Sequence, residues 1–222
     1  MVLIASLIVL ASTILFCIAL RVVAQPLFDD FESSQHEAES VDDEQPSAAV
    51  ILCVRGADPT LQVCLEGLLT QDYRDYEVHV VLDSDADPAA KLVRNSISNH
   101  SFEKVTVHIL RDPDSRRGLK VSAILQALTS LSDDVEAVAF LDADAEPDRF
   151  WLRNLMRPLG DPGVGATSGL RWFAPATRNA GSLIRAKWNL YALVLMKRCN
   201  IAWGGSLAIR RDTLTSTDLP RK

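Results

Sequence analysis

From Ala48 onward the chain alternates short apolar runs with longer amphipathic stretches, and few architectures accommodate that rhythm. Ala48–Val54 (AAVILCV) has no polar side chain to turn toward water, so it is predicted as a strand covered on both faces. Pro59 then opens a helix at a first-turn position, with Leu61, Leu65, Leu68 and Leu69 along one face. Tyr76–Leu82 (YEVHVVL) reads as a second strand, residues 88–98 suit a helix, and residues 105–110 alternate as a third strand. Residues 118–131 are helical, with Val121, Ile124, Leu125 and Leu128 at core spacing, and residues 135–141 (VEAVAFL) form a fourth strand. Strands alternating with helices in this way predict an α/β fold with a mostly parallel, doubly wound central sheet.

Sheets of this kind bind ligands beyond the carboxyl ends of their strands. The second strand ends in Asp83-Ser84-Asp85-Ala86-Asp87-Pro88 and the fourth in Asp142-Ala143-Asp144-Ala145-Glu146-Pro147, so two acidic loops share one rim. Two carboxylates one residue apart can hold a hard divalent ion that keeps positions open for phosphate oxygens. Arg111, Arg116, Arg117 and Lys120 follow the third strand and bring cations toward the same rim. Taken singly, the Asp83–Asp87 cluster is a turn and Arg116-Arg117 a solvated surface pair. Their order and spacing together suit a nucleotide diphosphate.

Charge is segregated. The total is 23 Lys+Arg against 29 Asp+Glu, a net −6, which argues against nucleic acid as the main partner. Between Arg21 and Arg55 there is no basic residue, only Asp29, Asp30, Glu32, Glu37, Glu39, Asp42, Asp43 and Glu44 among the charges. Residues 25–47 therefore read as a solvated acidic linker. Before it, residues 1–20 are an uncharged apolar or small run closed by Arg21, about the 20 residues that cross a bilayer core. A cleaved signal peptide ending near Val22-Val23-Ala24 competes with a retained anchor. The anchor is favoured because no Lys or Arg precedes the apolar run. The expected organisation is a transmembrane anchor over 1–24, the linker over 25–47, and a catalytic domain over 48–222. Arg21 as the nearby basic residue favours a cytoplasmic body, and Cys53 and Cys64 agree with a reducing compartment. The four cysteines, at 17, 53, 64 and 199, lack the pairwise spacing of a zinc site.

The stretch 48–214 resembles family-2 glycosyltransferases of the GT-A fold, closest to the branch of ceramide glucosyltransferase and bacterial hopanoid-type glycosyltransferases. The resemblance rests on Gly56-Ala57-Asp58-Pro59 after the first strand, Lys120-Val121-Ser122 at a helix start, Asp142-Ala143-Asp144, and Gly204-Gly205-Ser206 followed by Leu207-Ala208-Ile209-Arg210-Arg211. It implies a nucleotide-sugar donor, UDP-linked, and a lipid acceptor. By the same resemblance Asp83 contacts the uracil and Asp87 belongs to the nucleotide loop. Lys120 lies near the diphosphate, and Asp142 and Asp144 hold the ribose and a Mg2+ or Mn2+ ion. Gly204 and Gly205 let the backbone approach the sugar.

The family's catalytic base, an Asp after a Glu, and its Gln/Arg-x-x-Arg-Trp motif lie well downstream of Gly-Gly-Ser. The sequence ends at Lys222 without them, so the expectation is a C-terminally truncated chain that binds donor and transfers sugar very slowly. The catalytic base is then unassigned, since Arg171-Trp172 precedes Gly-Gly-Ser and Asp212 and Asp218 follow it too closely. A catalytically silent nucleotide-sugar-binding fragment is the alternative. A haloacid-dehalogenase-type phosphatase also places Asp-x-Asp after a strand. It needs Thr or Val where Glu146 stands, and a motif near the domain start. Residues 178–198 form a helix carrying Leu183, Ile184, Trp188, Tyr191 and Leu195. It reads as packing on the sheet or, given its basic ends, as lying at a membrane interface.

Overall fold

Parallel strands form the sheet's larger part, as the apolar runs predict. The computed structural model describes residues 10–12, 14, 15, 18, 21, 22, 25, 45–173, 175, 177 and 179–217. β1 (Ala48–Val54), β2 (Tyr76–Leu82), β3 (Val105–Ile109) and β4 (Ala137–Asp142) lie parallel in the order β3-β2-β1-β4. The sheet is mixed beyond β4. β5 (Ala166–Ser168) forms its edge, and β6 (Ser206–Arg210) runs antiparallel between β4 and β5.

Helices cover both faces. α1 (Leu61–Leu69), α2 (Ala89–Asn99) and α4 (Trp151–Met156) pack on Val50, Leu52, Val78, Val80 and Leu141. α3 (Leu119–Leu128) and α6 (Arg211–Ser216) cover Ala49, Ile51, Val81, Val138 and Phe140. β1 is central, and Ile51 and Leu52 are fully buried. Each such side chain contributes about 1.5–3 kcal/mol over an exposed one.

The face of α3 differs from the expected one. Ala123 and Ala127 are its buried residues, with Ile124 and Leu128 packed beside them, whereas Val121 is 48% exposed. Two residues from Ala123, Val121 falls on the opposite side of the helix. The alanines have only a methyl to place between helix and sheet.

The chain divides into two units, Asp43–Arg171 with Ala202–Lys222, which holds the sheet, and Met1–Asp42 with Trp172–Ile201. In the second, α5 (Ala180–Arg198) is capped by Asn179, whose side chain accepts from the Ser182 amide. Leu183, Ile184, Trp188, Tyr191 and Leu195 of α5 are all exposed, Trp188 to 77%.

The membrane localisation expected from the sequence, a single-pass anchor with a cytoplasmic catalytic domain, is overturned. Among the described residues no helix is long and apolar enough to cross a membrane. α5 has the length, 19 residues, but carries Arg185, Lys187, Lys197 and Arg198. Most of the predicted anchor (1–24) and linker (25–47) lies outside the described residues, as does Asp218.

A polar thread runs through the α3 face. Buried His79 of β2 shares a hydrogen bond with His108 of β3 (Nδ1 to Nε2, 2.9 Å) and meets Glu77 through Nε2 (3.0 Å). Glu77 also accepts from the Ser132 amide at 3.0 Å and from its hydroxyl. Burial opposes ionisation of Glu77, yet the Ser132 and His79 hydrogen bonds outweigh it and hold the carboxyl below its usual 4.5. For His108, burial and then the nearby His79 push the imidazole below its ordinary 6.5. The unfolded chain thus binds the His108 proton more readily than the folded one, so stability declines as pH falls below 6.5. Urea unfolding at neutral pH and at pH about 5.5 should show that loss, and His108→Gln should flatten it. A loss of equal size in the variant would assign the effect to other groups.

Candidate functional site

The carboxyl ends of β1, β2 and β4 open into a cavity of about 490 Å3. Its polar lining is Arg55, Asp58, Asp83, Lys120, Asp142 and Asp144, over an apolar floor that includes Val81, Leu82 and Ala123.

Each side chain is delivered by a local device. β1 ends at Val54, and the chain turns at Gly56 with φ +76°, a conformation that glycine adopts without strain. Asp87 fastens this turn. Its two carboxylate oxygens accept from the Gly56 amide at 3.1 and 3.0 Å, and one also accepts from Ala89 at the start of α2 (2.8 Å). Asp58 accepts from the Thr60 hydroxyl (2.6 Å) and amide (2.8 Å), which hold its carboxyl below the usual range. Asp83 follows β2, and its carboxylate faces Arg55 at 3.4 Å.

β4 delivers the remaining acids. The Asp142 amide donates to the Gly205 carbonyl at 3.0 Å, and its carboxylate pairs with Lys120 in the first turn of α3. Asp144 meets Arg171 at 3.7 Å, and the Arg171 guanidinium lies 5.9 Å from the centre of the Trp203 ring. A Cβ built on Gly205 would overlap Asp142 Oδ2 and the Trp203 ring, whereas one on Gly204 meets nothing within 4 Å. Two thiols lie near these acids. Burial first, with Asp142 adding to it against Lys120, raises Cys53 to about 11. Burial, then Asp144 and Asp142, raises Cys64 to about 12. Both stay protonated and unreactive at neutral pH.

Asp83, Lys120, Asp142 and Asp144 therefore line one cavity, and Gly205 presses on Asp142 from behind. Asp87 does not line it, because its carboxylate is spent on backbone amides. Gly204 borders open space. Arg116 and Arg117 turn to Asp114, at 3.1 and 3.6 Å, and are absent from the lining, as is Arg111. Asp212 sits on the opposite rim. β6 runs antiparallel, with Leu141 opposite Ser206 and Ala137 opposite Arg210, so the chain leaves β6 at the amino ends of the parallel strands. There Asp212 pairs with Arg210 at 2.8 Å, which holds its carboxyl down.

Arg55 lines the cavity and Arg171 meets Asp144, and neither is among the residues that the sequence points to. Arg55 could have been found from its place directly after a buried strand. Arg171 was noted only as half of an Arg-Trp pair before Gly-Gly-Ser.

A profile described as glycosyl transferase family 2 matches residues 49–215. The chain belongs to glycosyl transferase family 2. The fold of this family-2 chain is the α/β GT-A type with a mixed central sheet. Among solved structures it is similar to a mannosyltransferase from Pyrobaculum calidifontis in complex with GDP-Man and Mn2+, at 23% identity and TM-score 0.59. It is also similar to glucosyl-3-phosphoglycerate synthase from Mycobacterium tuberculosis, at 20% identity and TM-score 0.51. The first match covers 89% of this chain and 58% of the other, and the second 82% and 62%. A further structure of that synthase, in complex with Mn2+, uridine diphosphate and glucosyl-3-phosphoglycerate, matches at 19% identity and TM-score 0.50, over 77% of this chain and 59% of that one. The family-2 chain thus spans about three fifths of the length of these relatives, and the likeness speaks to fold alone. No curated protein matches the sequence significantly.

Proposed function

We propose that this chain binds the donor of a hexosyl transfer, a UDP-sugar, with a divalent cation held at Asp142 and Asp144. The observation that carries the reading is the convergence of Asp83, Lys120, Asp142 and Asp144 on one cavity at the carboxyl rim. The donor set suits the cation. Mg2+ or Mn2+ takes one or two carboxylates and fills its other positions with water and phosphate oxygens. Two carboxylates beside an open cavity meet that need, and among the described residues no group of three or more His, Cys, Asp and Glu offers a fuller cage. Once bound, the ion supplies Lewis-acid neutralisation of the departing diphosphate.

The chain's own residues do the rest. Asp83 accepts from a base N–H, and Arg55 holds its carboxylate in place. Lys120, in the first turn of α3, sets a cation and helix amides toward the phosphates. The apolar floor excludes water from beneath the nucleotide.

The acceptor is a lipid, as in the ceramide and hopanoid glycosyltransferase branch that the sequence resembles. The outward face of α5, with Ile184, Trp188, Tyr191 and Leu195 exposed, supports acyl-chain contact. Calorimetric titration of the full chain with a UDP-sugar should show affinity about tenfold or more higher in Mn2+ than in excess chelator. Asp142→Asn should remove the difference. Equal wild-type affinity in both conditions rejects the reading.

A further inference from the structure

Asp144 is the outer of the two carboxylates proposed for the cation, and a fixed cation already faces it. The Arg171 guanidinium stands 3.7 Å from Asp144 Oδ2 and is backed by the Trp203 ring, whose centre is 5.9 Å away. Trp203 is itself pressed against Gly205, and Gly205 against Asp142. Asp142, Gly205, Trp203, Arg171 and Asp144 therefore form a chain of neighbours that links the two carboxylates. A cation–π contact with an indole holds a guanidinium at little cost, because the group is weakly hydrated.

We infer that Arg171 is an internal competitor for the divalent cation: it neutralises Asp144 in the donor-free chain and transfers to the donor's phosphates when metal and nucleotide arrive together. The inference rests on the donor reading above. Arg171 and a divalent ion compete for Asp144, since their charges repel across a few ångströms. Without a nucleotide the arginine therefore raises the cost of metal binding. A diphosphate brings negative charge of its own and gives the displaced guanidinium a bidentate partner. Arg171 is thus a positioning residue that couples metal to nucleotide. It disfavours a metal-only state and favours the ternary one.

The full chain and its Arg171→Gln and Arg171→Lys variants should be compared at low ionic strength, where charge effects are least screened. Mn2+ alone is titrated by loss of the free-ion EPR signal, and UDP is titrated by calorimetry in saturating Mn2+. Arg171→Gln should bind Mn2+ alone about three- to tenfold more tightly than wild type, as expected for removing one half-exposed charge. It should bind UDP in Mn2+ about three- to tenfold more weakly. Arg171→Lys keeps the charge without the planar fork, so its metal affinity should stay near wild type while UDP affinity falls. Opposite movement of the two affinities is the signature, since damage to the fold lowers both. If Arg171→Gln leaves Mn2+ affinity unchanged or lowers it, or takes up no Mn2+ at millimolar concentration, the inference is overturned. Wild-type UDP binding that ignores Mn2+ would instead reject the donor reading itself.

Discussion

Gly205→Ala should abolish the metal-dependent UDP binding proposed for this chain while leaving the sheet folded. The new methyl has no room, because it would overlap the Asp142 carboxylate on one side and the Trp203 ring on the other. Overpacking of this kind typically costs about 1–3 kcal/mol, which an intact six-stranded sheet tolerates. Position is less forgiving. Asp142 is held by its amide's bond to the Gly205 carbonyl and by Lys120, so a shift at residue 205 moves the carboxylate directly. Displacement of a catalytic group by about an ångström can lower turnover about 100-fold. The measurable outcome is a fall of about tenfold or more in UDP affinity in Mn2+, with unchanged circular dichroism. Gly204→Ala is the control, since nothing lies within 4 Å of its added methyl. If Gly205→Ala binds UDP as wild type does, Asp142 does not hold the site.

Gln71→Leu should produce the largest loss of stability. Gln71 is buried and joins two elements that the sheet does not. Its Nε2 donates to the Gly67 and Asp148 carbonyls, both at 2.7 Å, and its Oε1 accepts from the Leu152 amide at 2.8 Å. That last bond caps the first turn of α4, whose amide has no partner within the helix. Leucine fills a similar volume but leaves the amide buried and unpaired. With the lost bonds to carbonyls, the cost is about 2–4 kcal/mol. For a domain of this size, the melting temperature should drop by about 5–12 °C. Gln71→Glu separates the contributions, because it keeps the acceptor but sets a charge against two carbonyl oxygens. A glutamate variant as stable as wild type would show that the cap at Leu152 carries the whole effect.

The strands were legible because their side chains leave no choice. Ala48–Val54 and Tyr76–Leu82 are legible with their observed limits, since an apolar run, broken in the second only by Glu77 and His79, bounded by turn residues has few stable placements in water. Asp142 and Asp144 were legible as a rim pair because they follow such a strand. What failed was whatever depends on a neighbour. On α3 the large residues suggest the inward face, and Ile124 and Leu128 do pack there, but close packing centres that face on Ala123 and Ala127 and leaves Val121 outside. The family resemblance carries both Asp83 and Asp87 to the nucleotide, and Asp87 shares a strand-end loop with Asp83. Its distinction is a bond to Gly56, thirty-one positions earlier, which no local pattern encodes. The antiparallel course of β6 was equally hidden, and it alone sends Asp212 to the far rim.

That course also sets a timetable for the nascent chain. β4 borders β1 on one side, but its other side waits for Ser206–Arg210. At about 5–20 residues per second, a ribosome needs several seconds to travel from residue 142 to residue 206. A sheet formed from β1 to β4 within that interval would present Val138 and Phe140 on an open edge, whose unpaired amides and carbonyls can recruit a strand from another chain. Asp142 is also without the Gly205 carbonyl that later fixes its backbone. Any ligand that needs Asp142 held in this way therefore stabilises only the finished domain.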